Sequence, residues 1–294
     1  MRAQPPDLVI PGAAKAGTTA LYTYLARHPA VFAPELKEPG YFSTDIPGGL
    51  DAGAYAALFA AAPMDALRVE ASTRYLYSEV ALPRLLAQNP QAKVLVMLRH
   101  PVAAARSLHA YAYRYGREDL PDFEQAWRAL GRRLASSPQS VPPDYNYQRV
   151  HRYAQQLPRL LASVPAPQRH VLLFEEFFAD PAGHLQAIQR FLGLAPQRLE
   201  AFPPVNAAEQ VRSARLEALL RKPPPALGPL YALGPLLHAL GLRPLRMLRR
   251  LNWRAGQAPE LRPAFRTELE EFFAADVRAV EELLGLRWPA LERG

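Results

Sequence analysis

Four short, almost unbroken apolar runs constrain this chain most: Leu8–Pro11, Leu67–Glu70, Lys93–Leu98 and His170–Phe174. A strand with one solvated face alternates apolar and polar residues. A strand that is apolar throughout is covered on both faces, as in a parallel sheet. Helical patterns separate the runs, at Thr18–Arg27, Leu82–Gln88, Val102–Tyr115, Gln148–Ala162 and Pro181–Leu192. This alternation predicts an α/β fold, three layers α/β/α around a central parallel sheet. With 294 residues, 49% of them hydrophobic, one large core can be buried, and a single domain over 1–294 is expected. A last helix, Ala264–Leu284, closes it. Residues 222–252, KPPPALGPLYALGPLLHALGLRPLRMLRRLN, break the pattern and read as an irregular Pro/Leu/Arg-rich excursion within the domain. Such a segment can pack on the core or face a substrate or a membrane surface, so peripheral membrane contact is an open expectation.

Charge narrows the partners. Lys and Arg number 35 against 27 Asp and Glu, a formal net charge of +8. A positive surplus favours anions such as nucleotides, acidic glycans or membrane surfaces, without choosing among them. No nucleic-acid-binding module is legible. The chain has no cysteine, which removes disulfides and thiolate chemistry, and the seven histidines show no H-x-x-x-H pair, so no metal site is expected. The first residues, MRAQPPDLVI, lack the apolar run of a signal peptide, and no stretch of about 18 apolar residues suggests a membrane span. The expectation is a soluble, cytoplasmic protein.

The stretch LVIPGAAKAGTTALYTYL, residues 8–25, reads as strand, glycine-bearing loop and helix start. It departs from the nucleotide-binding pattern G-x-x-x-x-G-K-[ST], in which lysine follows the second glycine. Gly12 and Gly17 keep the spacing, but the lysine has moved inside the loop to Lys15, and Thr18 stands in its place. The backbone logic survives. Amides of Ala16, Gly17, Thr18 and Thr19 open a helix whose positive end favours phosphate. The two threonine hydroxyls can donate to it. In open α/β sheets ligands bind at the carboxyl ends of strands. Loop 11–17, Glu70 and Arg99 all lie at such ends, and a guanidinium at Arg99 can fork onto a phosphate.

The loop and its continuation, LYTYLARHPAVFAPELKEPGYF, resemble the 5'-phosphosulfate loop of sulfotransferases that use 3'-phosphoadenosine 5'-phosphosulfate (PAPS). The likeness is to the bacterial branch and the heparan-type carbohydrate enzymes, through Lys15–Thr18, His28-Pro29 and Lys37-Glu38-Pro39-Gly40-Tyr41-Phe42. KVLVMLRHPVAAARSLHAYAY is similar to the family's 3'-phosphate element. RYAQQLPRLL and HVLLFEEFFADPAGHLQAIQRFLGL are similar to its later segments.

The resemblance implies a P-loop NTPase-like sulfotransferase fold and in-line transfer of a sulfuryl group from PAPS to a hydroxyl or amine, leaving 3'-phosphoadenosine 5'-phosphate (PAP), with no metal required. It implies that Lys15, Ala16, Gly17, Thr18, Thr19, Arg99, Ser107 and Arg212 bind the nucleotide. Lys15 would stabilise the leaving phosphate, and Glu38 would act as general base. Glu70 is a second carboxylate that could serve as base, bind acceptor or orient Lys15. The segment VEASTRYLY has Ala71 where the heparan-type pattern has lysine. The acceptor stays open among glycan, lipid-like and small-molecule hydroxyls, and oligomeric state is not legible. Arg74, His109 and Tyr153 are weaker acceptor-side candidates; His28 reads as a helix end. Two other readings remain: a P-loop-type nucleotide kinase or NTPase, and a nucleotide-binding relative without catalysis.

Overall fold

The computed structural model describes residues 5–137, 141–197, 209–211, 216, 251–255 and 260–289. Five strands form one parallel sheet: β1 (Leu8–Ile10), β2 (Val31–Phe32), β3 (Leu67–Ala71), β4 (Lys93–Leu98) and β5 (Arg169–Leu173), in the order β2-β3-β1-β4-β5. Helices α1 (Thr18–Leu25), α2 (Ala52–Leu58), α3 (Ala81–Gln88), α4 (Pro101–Arg114), α5 (Phe123–Ser136), α6 (Leu157–Ser163), α7 (Phe174–Ala179) and α8 (Pro181–Leu192) follow in turn, flanking the sheet. The expected α/β architecture with a central parallel sheet is present.

The apolar runs map onto the strands for the expected reason. Val94 to Leu98 have no exposed surface, and neither do Leu8, Val9 and Ile10. Each such side chain contributes about 1.5–3 kcal/mol by leaving water. Beyond the sheet, Phe123, Trp127, Leu130, Phe265, Leu269 and Phe273 close a second apolar cluster, formed by α4, α5 and a final helix, α9 (Pro263–Leu284).

Several elements differ from expectation, α2 and α7 among them. The helix expected over Gln148–Ala162 is broken: a short 3-10 turn, Tyr153–Gln155, precedes α6. Pro158 lies in the first turn of α6, and a proline disfavours helix in the residue before it. Asp276 of α9 secures the break, accepting from the amides of Tyr153 at 3.0 Å and Ala154 at 3.1 Å. Helix α5 was not expected, although Phe123, Ala126, Trp127 and Leu130 follow helical spacing. Strand β2, two half-buried residues, is too short to leave a pattern.

Apart from Leu251 and Asn252, the excursion 222–252 lies outside the described residues. At its borders β6 (Glu209–Val211) and β7 (Trp253–Ala255) pair antiparallel, Val211 opposite Trp253.

Candidate functional site

Strand β1 is central, with β3 on one side and β4 on the other, so the chain's direction of progress reverses between β1 and β4. That crevice is the ligand position of open α/β sheets. The loop after β1 is fastened on both sides. Met97 donates to Gly12 O at 3.0 Å and Ala13 to Met97 O at 2.6 Å, while Leu76 donates to Pro11 O at 2.9 Å. A loop so tied presents a fixed set of backbone groups.

Gly17 caps α1 in the left-handed conformation, φ 83°, with no side chain bonding the first-turn amides. Those amides have no carbonyl partner at a helix start and remain donors for an anion. A Cβ at Gly17 would also lie 3.1 Å from the rings of Phe174 and Phe178. Of the four expected loop residues, Ala16 spends its amide inside the loop, on Ala13 O at 3.2 Å. Thr18 is buried and takes a 3.4 Å bond from Lys37 Nζ on its hydroxyl; Thr19 is exposed.

Lys15 has φ 62° and Glu38 has φ 65°, and among the described residues these are the only non-glycine residues with positive φ. Such a conformation costs about 1–3 kcal/mol and persists where surrounding structure imposes it. The Lys15 ammonium lies 4.4 Å from the centre of the Tyr111 ring. Burial, reinforced by Arg99, Lys37 and Arg114, pulls its pKa down to about 8.

Arg99 follows β4. Its guanidinium stacks 4.3 Å from the Phe174 ring, and Nη1 donates to Lys15 O at 3.3 Å, which joins the two expected donor-side cations. Beneath it, the Tyr153 hydroxyl meets the Arg99 backbone amide and lies 3.3 Å from His151 Nδ1. Glu175 accepts from the His100 amide at 3.0 Å. Four buried polar atoms in this neighbourhood have no hydrogen-bond partner among the described residues: Arg99 Nε, His100 Nδ1, His151 Nε2 and Glu175 Oε2. Leaving such atoms unbonded costs about 1–3 kcal/mol each. Burial lowers the His151 pKa to about 3 and that of His100 to about 4, so both rings are neutral at pH 7. Of these atoms Arg99 Nε is a fixed donor suited to an anion, Glu175 Oε2 is an acceptor that faces the Arg99 charge, and each neutral imidazole nitrogen donates or accepts according to its tautomer.

The two candidate carboxylates have opposite surroundings. Glu38 is 39% exposed; its Oε1 pairs with Lys37 Nζ at 2.5 Å, and Oε2 accepts from the Thr73 amide at 2.7 Å and hydroxyl at 3.1 Å. Glu70 is 2% exposed, bonded by Tyr55 at 2.6 Å and Ser72 at 2.9 Å. Burial raises its pKa to about 7, against the lowering influence of the bonds from Tyr55, Tyr75 and Ser72. Ser72 also receives the Gly40 amide at 3.0 Å, and the Tyr75 hydroxyl receives that of Phe42 at 3.1 Å. Glu70 therefore lies under the Lys37–Phe42 turn as its foundation.

The remaining candidates divide. Ser107 is half-buried on α4, one turn before Tyr111, and no hydrogen bond joins it to Arg99 among the described residues. Arg212 lies outside the described residues. Tyr153 is wholly buried core, and His109 is spent on Leu120 O at 2.9 Å. His28 bonds Ala195 O at 3.1 Å and accepts from the Ala30 amide at 3.2 Å, the structural role expected. Arg74 is tied to Asp144 at 2.6 Å and to Pro47 O at 2.9 Å. Sequence reasoning did not place Tyr111, Phe174 or Thr73 at the site. Tyr111 had a signal, its one-turn spacing from Ser107; the other two act through contacts between distant segments.

Comparisons with known proteins bear on the family and the fold. The family model described as sulfotransferase domain matches residues 5–214. Human heparan sulfate glucosamine 3-O-sulfotransferase 6 is 32% identical over 190 residues, 64% of this chain and 52% of that protein. Mouse heparan sulfate glucosamine 3-O-sulfotransferase 3B1 is 30% identical over 65% of this chain and 47% of its own length. The chain thus spans about half the length of these curated relatives. A sulfotransferase from Alicyclobacillus acidocaldarius superposes with a TM-score of 0.72 at 27% identity, covering 96% of this chain and 97% of that one. The shifted lysine, the strand-end arginine and the matched span lead to one assignment: the chain belongs to the sulfotransferase domain family.

Proposed function

We propose that this protein transfers a sulfuryl group from PAPS to a hydroxyl or amine of an acceptor. The observation that carries the reading is the pairing at the sheet's carboxyl edge: the Arg99 guanidinium bonds the Lys15 carbonyl, Arg99 Nε is buried without a partner among the described residues, and Lys15 and Glu38 are the non-glycine residues with positive φ among them. Family membership supports it, and the names of the curated relatives supply the reaction class.

Bound PAPS supplies an activated sulfuryl group. The chain's own residues position it and answer the charge that develops, which is the main protein contribution in this kind of transfer. Amides of Gly17, Thr18 and Thr19 with the Thr18 hydroxyl would hold the 5'-phosphate, while Arg99 and Ser107 would hold the 3'-phosphate. Lys15, protonated below its pKa of about 8, would neutralise charge on the leaving oxygen. Glu38 would take the acceptor proton. Lys37 touches both Glu38 and Thr18, at 2.5 Å and 3.4 Å, so it can turn from the carboxylate towards the donor and free Glu38 to act. Glu70, buried and bonded, would set the turn that carries Glu38. One domain over 1–294 and a cytoplasmic site of action belong to the same reading.

Calorimetric titration with PAP and with magnesium-ATP, for wild type and Lys15→Ala, tests it. Metal-independent PAP binding, weak ATP binding and loss on substitution are expected. A preference for magnesium-ATP overturns it in favour of a kinase or NTPase. Glu38→Gln should lower turnover by about 10²–10⁴ while leaving PAP affinity in place.

A further inference from the structure

The acceptor side of the site is aromatic and charge-balanced. Tyr111 is 39% exposed and Tyr115 is 55% exposed; their rings lie 4.5 Å apart, inclined at 43°. Tyr145 belongs to a 3-10 turn, Pro143–Tyr145, packed against α4, and both Tyr145 and Glu38 act electrostatically on the Tyr111 hydroxyl. Tyr111 therefore adjoins the donor lysine, whose ammonium lies 4.4 Å from its ring centre, within electrostatic range of the expected base. Exposed tyrosines clustered at such a place provide flat apolar faces with polar rims. Among the described residues, Lys37 is closed on Glu38, Arg74 is closed on Asp144, and Arg114 lies 5.6 Å from the Tyr115 ring. A polyanion would need open forks instead.

We propose that Tyr111, with Tyr115 and Tyr145, forms the acceptor subsite, and that it takes an uncharged ring bearing a hydroxyl group rather than a polyanionic sugar chain. The proposal rests on the sulfuryl-transfer reading. It also carries an order of binding. The Lys15 ammonium covers the Tyr111 face. An anion in the loop attracts that ammonium more strongly than the ring quadrupole does. Donor binding thus uncovers the face on which the acceptor ring lies, with its hydroxyl directed between Lys15 and Glu38.

Equilibrium dialysis of the full chain tests this with three probes: 2-naphthol, methyl β-cellobioside and a heparin-derived hexasaccharide. With PAP present, one uncharged ring should bind more tightly than the hexasaccharide and more tightly than without PAP; which ring does so separates phenol-like from sugar acceptors. Tyr111→Ala should weaken that binding about tenfold, and Tyr111→Phe by less than about twofold. PAP affinity retained or raised in Tyr111→Ala shows that the fold and donor loop are intact, since the ring no longer competes for the Lys15 ammonium. Lys15→Ala should bind the ring without PAP, an arm that does not depend on the donor reading. Failure of PAP to bind with success of this arm sinks the donor reading alone. Tighter binding of the hexasaccharide, no ring binding, or no effect of Tyr111→Ala overturns the subsite.

Discussion

The proposed donor edge and the proposed acceptor edge of this site differ in how their described cations are placed. At the proposed donor edge Lys15 and Arg99 adjoin each other, and Arg99 Nε is buried without a partner among the described residues. At the acceptor edge Lys37 and Arg74 each sit against a carboxylate. Cations crowded together in a partly dry site raise one another's energy, and an incoming anion relieves it. Cations already paired offer little to an anion. The difference teaches that the net charge of +8 does not describe the site: one edge is prepared for a charged ligand and its neighbour is balanced.

The comparison can be broken first at Lys15. Lys15→Ala should reduce kcat by roughly 10²–10³, as for loss of one oxyanion-stabilising donor, in a single-turnover assay. A loss confined to acceptor KM would move Lys15 to the acceptor edge. Arg99→Ala should raise the Kd for PAP by about 10–100-fold, the weight of one to two charge-assisted bonds. An equal effect from Arg74→Ala would erase the distinction between paired and unpaired cations.

The contrast can be sharpened by pH. The Lys15 pKa is depressed to about 8, so the free protein loses that proton as pH rises through 8. An anion binds the protonated form, hence PAP affinity should be full below about pH 7 and decline above 8. The decline should vanish in Lys15→Ala. The smallest effect is expected at Glu70. Its folded pKa is raised to about 7, so between the ordinary carboxylate value and 7 the folded chain holds a proton the unfolded chain has lost. Stability therefore falls as pH rises through that window. Glu70→Gln should flatten the decline in Tm across the window and leave turnover within about threefold, if its part is to support the turn. A loss comparable to that of Glu38→Gln would restore Glu70 as a base.

The local structure of the proposed donor edge was the more legible of the two. Gly17 was readable because a left-handed helix start next to packed rings admits little else. Arg99 was readable because it ends a wholly apolar run, and the position of strand ends in a parallel sheet follows from topology. The acceptor edge is assembled from segments far apart in sequence: Glu38 meets Thr73, Arg74 meets Asp144, and Lys15 meets Tyr111. No spacing rule relates such pairs. The helix break before α6 was missed for the same reason, since half of its cause, Asp276, comes from α9.

By itself the sequence determined the parallel α/β architecture, the glycine-bearing loop between β1 and α1 and the arginine after β4, because periodicity, glycine and a strand's last residue act through the chain's own neighbours. Only the tertiary structure distinguished the surroundings of the two carboxylates. Val9 pairs with Glu70 in the sheet, while Tyr55 and Ser72 close over the Glu70 side chain. Glu38 is held at the exposed tip of a turn by Thr73, across 35 residues of chain. Ionisation and access depend on what packs across from a side chain, and that is set by the fold as a whole.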